Sequence, residues 1–541
     1  MQFPIKCQAA PSGAAFFAQN STWQARILWM RWLRLRAAWL PVLVLVSIVP
    51  VYACYLVQPA AGAFHDDGIY LVNALSLASG HGFRTLSLPD ELFQTKYPFL
   101  YPVVLAALWK LFPAFPANLL LFKLASLFAT AFWAYASYRL ALRETNDPVL
   151  ARWIAVLLLT FPWVVFLSAM TMPEALFASM SIGSFLMFEE NKSPSGWKLI
   201  GGAALASAAF LMRSAGAALI LAWLIVLVGR RRWRAAASFS AVVALLTGPW
   251  LVWQSAHPAT LDFVGRYYTK FNYGRIFGTV GANPLNAIST LATICPLGGI
   301  QFGSFSFVLN LTAGLCCLVG LVRSFADRKL TLLAVWFTVN IAMVFWWLFS
   351  PVRYQVPLYA IALVLLTKIT RKAHPALVLI LALCAAINVG DLFRLRQTTL
   401  QQSSPTWTLS PADNWPMTLQ AMAWLRDHTA KDSVIAANCD PTIFLYTGRK
   451  AIRAFNVEQY GLLFDSSPNT LALGSSERLR SHLKANRISY ILVTPMMHFM
   501  EKPFFHAQLA SLRRARPAAF RVEKTFEDPE FYILSVDRSK L

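Results

Sequence analysis

Two adjacent carboxylates, Asp66 and Asp67, stand just beyond the first long apolar run of the chain. A carboxylate can deprotonate or orient an acceptor hydroxyl group, so this doublet is a candidate general base. A third acidic residue, Glu174, stands at the start of a later apolar run. Because the apolar half of the chain carries few other carboxylates, we predict that Asp66, Asp67 and Glu174 belong to one catalytic site.

Two basic residues that precede tyrosines complete this set. Lys96 is followed by Tyr97, and Arg353 is followed by Tyr354, each at the edge of an apolar run. Lysine and arginine neutralise the charge that accumulates on a departing phosphate. We therefore predict that these four residues bind the phosphate of a donor. Acids beside cations at such a boundary suit a reaction between a water-side acceptor and a phosphate donor carried by a lipid.

The composition places the chain among membrane proteins. Of its 541 residues, 57% are hydrophobic and only 13% are charged, and apolar runs recur through most of its length. The 48 Lys and Arg against 25 Asp and Glu give a net charge of +23, which in a soluble protein favours nucleic-acid binding. Because these basic residues lie mostly between apolar runs, we predict anionic membrane lipid as their partner rather than nucleic acid.

The elements that must position these residues are membrane-spanning helices. A helix needs about 20 apolar residues to cross a hydrocarbon core of about 30 Å. By this measure we predict an α-helical polytopic membrane protein with about eleven transmembrane helices, or thirteen if one pair escapes the count. The predicted spans are 39–57, 118–140, 149–168, 174–189, 198–212, 214–228, 236–254, 302–322, 330–349, 352–368 and 375–391.

Basic residues predict the orientation, because Lys and Arg in short loops are retained on the cytoplasmic side. An N-terminus in the cytoplasm places most basic loops inside, provided that the run 99–112 lies in the outer interface. Pro102 and Lys110 interrupt that run, which favours the interfacial position. The predicted organisation is a cytoplasmic segment 1–37 and a transmembrane catalytic domain 38–391 with external loops 58–117 and 255–300.

The chain changes character near residue 391. Beyond this point hydrophobic runs are short, charges are frequent, and helix and strand patterns alternate as in a small α/β domain. We predict that residues 392–541 form a water-soluble α/β domain, which is extracytoplasmic because an odd number of spans precedes it. Its predicted elements are helices at 415–429 and 475–486, strands at 433–437 and 490–493, and a hairpin of 520–526 with 531–536.

Three segments resemble motifs of the integral-membrane glycosyltransferases of the C superfamily (GT-C). The stretch DDGIYLVNALSLASGHGF from Asp66, followed by KYPFLYP from Lys96, is similar to their first external loop. It is nearest to the bacterial relatives of protein O-mannosyltransferases and of lipid A aminoarabinose transferase, in glycosyltransferase family 39. TMPE, ending at Glu174, resembles their second acidic motif, and RYQVP from Arg353 resembles their late Arg-Tyr element. The family commonly has Glu after the first Asp, where this chain has Asp67.

The resemblance implies an enzyme of a bacterial plasma membrane. Such an enzyme transfers a hexosyl or pentosyl group from a polyprenyl-phosphate donor to a glycan, lipid or protein acceptor outside the cytoplasm, with Asp66 as the base. We predict no metal ion and no other cofactor. The alternative function is a non-enzymatic flippase or transporter of lipid-linked sugars, with a polar cavity across the bilayer. Charged residues are scarce in the middles of the spans, which favours the enzyme.

Each residue also has a purely structural alternative. Asp66 and Asp67 can cap a helix that begins near Gly68. Glu174 can occupy the first turn of its helix, where a negative charge is favourable. The basic residues can extend to anionic lipid headgroups, and Arg213, between two spans, is predicted to be a topological anchor.

Overall fold

The computed structural model mostly consists of helices and describes most of the chain. Residues 1–38, which include the predicted cytoplasmic segment 1–37, lie outside the described part, and so do residues 258–283 of the predicted external loop 255–300. The described residues are 39–58, 60–62, 65–189, 196–257, 284–298, 303–326, 330–345, 352–369, 374–402, 414–437, 439–453, 476–494 and 502–541.

Sixteen α-helices precede residue 403 in the described part of the chain. They are α1 (Trp39–Leu56), α2 (Asp66–Ala78), α3 (Leu100–Leu111), α4 (Leu119–Thr145), α5 (Pro148–Thr160), α6 (Pro162–Ser168), α7 (Glu174–Met187), α8 (Gly196–Met212), α9 (Ala217–Gly229), α10 (Trp233–Ala256), α11 (Pro284–Ile294), α12 (Gly303–Ala326), α13 (Leu332–Phe345), α14 (Val352–Gln355), α15 (Tyr359–Thr367) and α16 (His374–Gln402).

Apolar helices coincide with the predicted spans, and they make this a multi-pass membrane protein. Five of them, α1, α4, α10, α12 and α16, are long and apolar enough to cross a membrane by themselves. Large apolar side chains such as Leu43, Phe128 and Leu245 stand exposed on three of these helices, as expected of surfaces that face lipid.

Other predicted spans differ from straight crossings. The predicted span 149–168 is broken into α5 and α6, which meet at an angle of 63°. Pro162 begins α6, and proline lacks the N–H that would continue the α5 hydrogen bonds. Helix α7 has 14 residues, which corresponds to about 21 Å. The number of crossings therefore stays a prediction.

Helices α7, α8 and α9 are held together by small residues and hydrogen bonds. The Ser184 hydroxyl of α7 donates to the Gly202 carbonyl of α8 (2.9 Å) and accepts from Nε1 of Trp223 in α9 (2.9 Å). A Cβ added to Gly202 would lie 2.6 Å from the Trp223 ring, so glycine permits this close approach. These contacts join the last turns of α7 to the first turns of α8.

The C-terminal part of the chain forms a five-stranded sheet with helices on both faces. Strand β1 is parallel to β2 and β3, whereas β5 is antiparallel to β3 and β4, in the order β2-β1-β3-β5-β4. The predicted strands, helices and hairpin are all present. The elements are α17 (Trp415–His428), β1 (Val434–Ala436), α18 (Asp440–Thr447), β2 (Lys450–Ile452), α19 (Ser476–Ala485), β3 (Ile488–Val493), α20 (Lys502–Ala515), β4 (Phe520–Thr525) and β5 (Tyr532–Val536).

This C-terminal α/β unit packs directly against the segment between α1 and α3. Ile69 of α2 and Leu88 belong to the same hydrophobic cluster as one face of the sheet. The Ala451 N–H of β2 donates to the Ser87 carbonyl (2.8 Å), so the segment after α2 lies beside the edge strand of the sheet. The first predicted external loop and the C-terminal unit therefore form one packed structure. The domain boundaries stay a prediction.

Candidate functional site

Three of the predicted site residues, Asp66, Glu174 and Arg353, lie together at one end of the helix bundle. Asp66 begins α2, Glu174 begins α7, and Arg353 lies in the short helix α14. Arg213 follows the last residue of α8. Since α7 and α8 are consecutive packed helices, the start of one and the end of the other lie at the same end of the bundle.

Asp66 accepts hydrogen bonds from two of the predicted phosphate-binding residues. Its Oδ1 accepts from the Tyr97 hydroxyl at 2.6 Å, and its Oδ2 accepts from Arg353 Nη1 at 2.8 Å. The Asp66 side chain is 23% exposed, so solvent or a ligand can reach this carboxylate. Hydrogen bonds to a charged carboxylate are short and strong, and here they direct the group toward the arginine.

Glu174 is the buried counterpart of Asp66. Its Oε1 accepts from Arg353 Nε at 2.7 Å and from Arg213 Nη1 at 2.6 Å, and its side chain is 1% exposed. Arg353 therefore bridges Asp66 and Glu174 with two different nitrogens. The ring of Tyr354 lies 5.3 Å from the Arg213 guanidinium carbon and 5.9 Å from that of Arg353, at distances typical of cation–π contacts.

Arg213 belongs to the cluster, which sequence reasoning did not predict. We predicted a topological anchor, but the structure directs its guanidinium inward to Glu174, with 11% of the side chain exposed. The distance of 39 positions between the two residues hides the contact from any local pattern. The only signal in the sequence was a single arginine between two otherwise uncharged apolar runs.

Asp67 faces away from this cluster. Its Oδ2 accepts from the Gly62 N–H at 2.7 Å, and the residue is 1% exposed. The helix begins at Asp66 with His65 at the N-cap position, and the His65 side chain makes no capping hydrogen bond. Asp66 and Asp67 therefore lie in the first turn of α2, where a negative charge is favourable, and not at its N-cap.

A buried glutamine shapes the turn that carries Lys96 and Tyr97. The Gln94 Oε1 accepts from the backbone N–H groups of Lys96 (2.9 Å) and Tyr97 (3.1 Å). The Gln94 carbonyl in turn accepts from Nε1 of Trp253 at the end of α10 (3.0 Å). This arrangement holds Tyr97 against Asp66 and places the Lys96 ammonium 5.0 Å from the Tyr97 ring centroid.

For both Asp66 and Lys96, burial and neighbouring opposite charges shift the pKa in opposite directions. Burial raises the pKa of Asp66, but the positive charges of Arg353 and Lys96 outweigh it and hold the pKa well below its ordinary value. Burial lowers the pKa of Lys96 to about 7, although Asp66 opposes this shift. Asp66 is therefore ionised at neutral pH, while Lys96 titrates close to it.

Within the described ranges, no group of three or more His, Cys, Asp and Glu side chains is arranged to hold a metal ion. The acids of the site are instead paired with arginines. The site thus combines a partly exposed carboxylate, a buried carboxylate and two guanidinium groups at the end of a membrane helix bundle.

Solved membrane proteins share this fold across most of the chain. ArnT from Cupriavidus metallidurans bound to undecaprenyl phosphate is 12% identical, with 91% of this chain and 97% of that chain covered and a TM-score of 0.55. The same protein in the apo state gives a TM-score of 0.56. The archaeal oligosaccharyltransferase AglB from Archaeoglobus fulgidus, in complex with an inhibitory peptide and a dolichol-phosphate, is 12% identical, with coverages of 92% and 74% and a TM-score of 0.52.

No protein-family model and no curated protein matches the chain by sequence. The structural likeness shows that the chain shares the fold of ArnT and AglB. At 12% identity it concerns the fold alone.

Proposed function

We propose that this protein is a glycosyltransferase that moves a sugar from a polyprenyl-phosphate donor to an acceptor at the outer face of the membrane. The observation that carries the proposal is the Arg353 guanidinium, which bridges the partly exposed Asp66 and the buried Glu174. The fold supports it, since ArnT is bound to undecaprenyl phosphate and AglB to a dolichol-phosphate.

Arg353 and Lys96 bind the donor phosphate in this proposal, with Tyr97 and Tyr354 beside them. Both cations act electrostatically on Asp66, so a phosphate bound between them lies next to the carboxylate. Cations aimed at the leaving group stabilise the charge that develops on it as the bond to the sugar breaks.

Asp66 orients the acceptor and removes its proton. In the resting site its low pKa makes it a weak base, because Arg353 favours the ionised form. A donor phosphate competes for the Arg353 hydrogen bonds, which raises the proton affinity of Asp66 only when donor is present. The acceptor oxygen then attacks the anomeric carbon, its proton passes to Asp66, and the polyprenyl phosphate leaves. Direct displacement inverts the anomeric configuration.

Glu174 orients Arg353 in this scheme. Its Oε1 accepts from both Arg353 and Arg213, while its Oε2 has no hydrogen-bond partner in the part of the chain that the structure describes. A buried carboxylate with an open lone pair can accept a further donor, such as an acceptor hydroxyl or water. We propose that Glu174 assists Asp66 in this way.

The proposed orientation places the site and the C-terminal α/β unit outside the cytoplasm of a bacterial plasma membrane. Its support is the distribution of Lys and Arg, which are frequent in the loops predicted to be cytoplasmic. Single cysteines introduced at exposed positions, such as Lys431 in the C-terminal unit, should react with a membrane-impermeant maleimide in intact cells. Labelling only after cell lysis would contradict this orientation.

The reaction is tested first in cells and then with purified protein. Cells that lack the protein should accumulate a polyprenyl-phosphate sugar and lose a sugar from a surface glycan, lipid or protein, both measured by mass spectrometry. The purified protein should convert that donor to polyprenyl phosphate, whereas an Asp66→Asn variant should not. Asp427→Asn is the control, since Asp427 is an exposed aspartate of α17. Movement of the lipid-linked sugar across vesicles without its cleavage would support a flippase instead.

A further inference from the structure

The residue directly before Asp66 has an unusual backbone conformation. His65 has φ 63° and ψ −53°, a region that residues with a Cβ rarely occupy. Such a conformation is strained and persists only when the surroundings hold it. Since His65 precedes the first residue of α2, its conformation determines the direction in which the Asp66 side chain leaves the helix.

The C-terminal unit holds His65 in place. Its Nε2 lies 2.8 Å from Oδ1 of Asp440, which begins α18 and is fully buried, while 13% of the His65 side chain is exposed. This hydrogen bond joins the turn before α2 to the first residue of α18. Arg453, which follows β2, also approaches this nitrogen, with its Nε at 3.4 Å.

Helix α18 also contacts the backbone on both sides of His65. The Thr442 hydroxyl donates to the Ala61 carbonyl at 3.2 Å. A Cβ on Gly62 would lie 1.9 Å from the Thr442 hydroxyl oxygen, and one on Gly68 would lie 2.8 Å from Cβ of Pro441. The two glycines thus permit α18 to lie against the turn that carries Asp66. The Gly62 N–H, in turn, is held by Asp67.

We infer that His65 and Asp440 are positioning residues, through which the C-terminal unit directs the Asp66 carboxylate toward Arg353 and Tyr97. The inference rests on the proposed transfer reaction for its effect on rate. A displacement of about 1 Å of a catalytic group costs as much as about a hundredfold in rate. The C-terminal unit is then a structural part of the active site, in addition to any role in choosing the acceptor.

Asp440→Ala tests the positioning role. We expect kcat to fall at least tenfold while the donor KM changes less than twofold, because Lys96 keeps its place. Asp440→Asn should retain most of the activity, since its amide oxygen still accepts from His65. Asp427→Ala, which removes an exposed aspartate of the same unit, should leave kcat unchanged. Equal kcat for the wild type and a folded Asp440→Ala protein would overturn the inference.

A double-variant cycle separates positioning from general destabilisation. His65→Asn tolerates a positive φ but is too short to reach Asp440. If the two residues act as a pair, His65→Asn with Asp440→Ala should be no slower than the slower single variant, whereas multiplied losses would refute the pairing.

Hydrogen exchange supplies a readout that needs no transfer reaction. The amides of residues 65–70 should exchange faster in Asp440→Ala than in Asp427→Ala, and unchanged exchange would refute the holding role of Asp440. Absence of transfer by the wild type would instead contradict the proposed function, while the exchange experiment would still decide whether Asp440 holds this turn.

Discussion

Asp66 and Asp67 are neighbours in the chain but lie in two different environments. Asp66 is partly exposed and bonded to side chains from distant parts of the sequence, Tyr97 and Arg353. Asp67 is buried, is bonded to the Gly62 backbone, and interacts electrostatically with Lys123 of α4. Successive residues of a helix point about 100° apart. The Asp66 carboxylate therefore lies on a partly exposed side of α2, and the Asp67 carboxylate lies on a buried side.

This difference shows how one acidic doublet can serve two purposes. A carboxylate that reacts must be accessible and must have partners that a ligand can displace, and the ion pair of Asp66 with Arg353 meets both conditions. A carboxylate that holds a turn needs burial and a backbone donor, as Asp67 has with Gly62. We propose that Asp66 acts in transfer and that Asp67 mainly maintains the turn before α2.

The largest effect is expected from Asp66→Asn. The amide keeps the shape of the side chain but cannot accept the proton of the acceptor, so transfer should fall about a thousandfold, within the range for loss of a general base. The measurement is the rate of polyprenyl phosphate release at saturating donor. Normal transfer by a folded Asp66→Asn protein would remove Asp66 from the mechanism. The proposed difference in role between Asp66 and Asp67 would then be wrong.

Arg353→Ala should have the next largest effect on transfer, a loss of about a hundredfold or more, because the leaving phosphate loses a cation. It should also lower the free energy of unfolding by about 1–3 kcal/mol, since the buried Glu174 loses a charged partner. Arg353→Lys should restore little transfer, because a single ammonium cannot contact Asp66 and Glu174 as the guanidinium does.

A second change separates the two consequences of Arg353→Ala. Adding Glu174→Gln removes a buried negative charge and should restore part of the stability but none of the transfer, as judged by thermal unfolding and product release. Near-normal transfer in Arg353→Ala would mean that this arginine only neutralises the two carboxylates.

Lys96, which lies near Asp66, should make donor binding depend on pH. Its pKa of about 7 means that the ammonium is mostly charged at pH 6 and mostly neutral at pH 8. The donor phosphodiester keeps its single negative charge over this range, so the donor KM should rise by up to about tenfold between these pH values. Lys96→Arg stays charged and should abolish the rise. An identical rise in that variant would assign the titration to another group.

Asp67→Asn should have a small effect on transfer, less than about tenfold, because the Asn oxygen still accepts from the Gly62 N–H. Asp67→Ala removes that acceptor and should cost about 1–3 kcal/mol of stability. Thermal unfolding and transfer assays on the two variants test this prediction. A loss of transfer by Asp67→Asn as large as that by Asp66→Asn would show that both carboxylates take part in the chemistry.

The smallest effect is expected from Glu91→Gln, at the contact between the first loop and the C-terminal unit. Glu91 pairs with Lys450 at 2.6 Å, but their side chains are 37% and 26% exposed. Ion pairs at this level of exposure contribute at most about 1 kcal/mol, and Lys450 keeps its bond to the Leu86 carbonyl. The thermal unfolding temperature should shift slightly, and the rate of transfer should not change. A large loss of either would show that this contact is essential.

Much of the fold was predictable because membrane helices and soluble strands leave strong local patterns. Apolar runs of about 20 residues located α1, α4, α10, α12 and α16. A short apolar run located β3, and two strand-like segments separated by a turn located the hairpin of β4 with β5. The bend at Pro162 and the short length of α7 escaped this reasoning, because composition does not reveal where a helix turns or how deeply it lies.

The sequence by itself determined the class of protein, the acidic doublet, and the cations that lie beside it. These follow from hydropathy and from motifs that are contiguous in the chain. Only the tertiary structure decided that Asp66 and Asp67 face opposite surroundings, that Arg213 turns inward to Glu174, and that Asp440 holds His65. Those contacts join residues that are far apart in the sequence or depend on the rotation of a helix. They arise from packing, which no local pattern records.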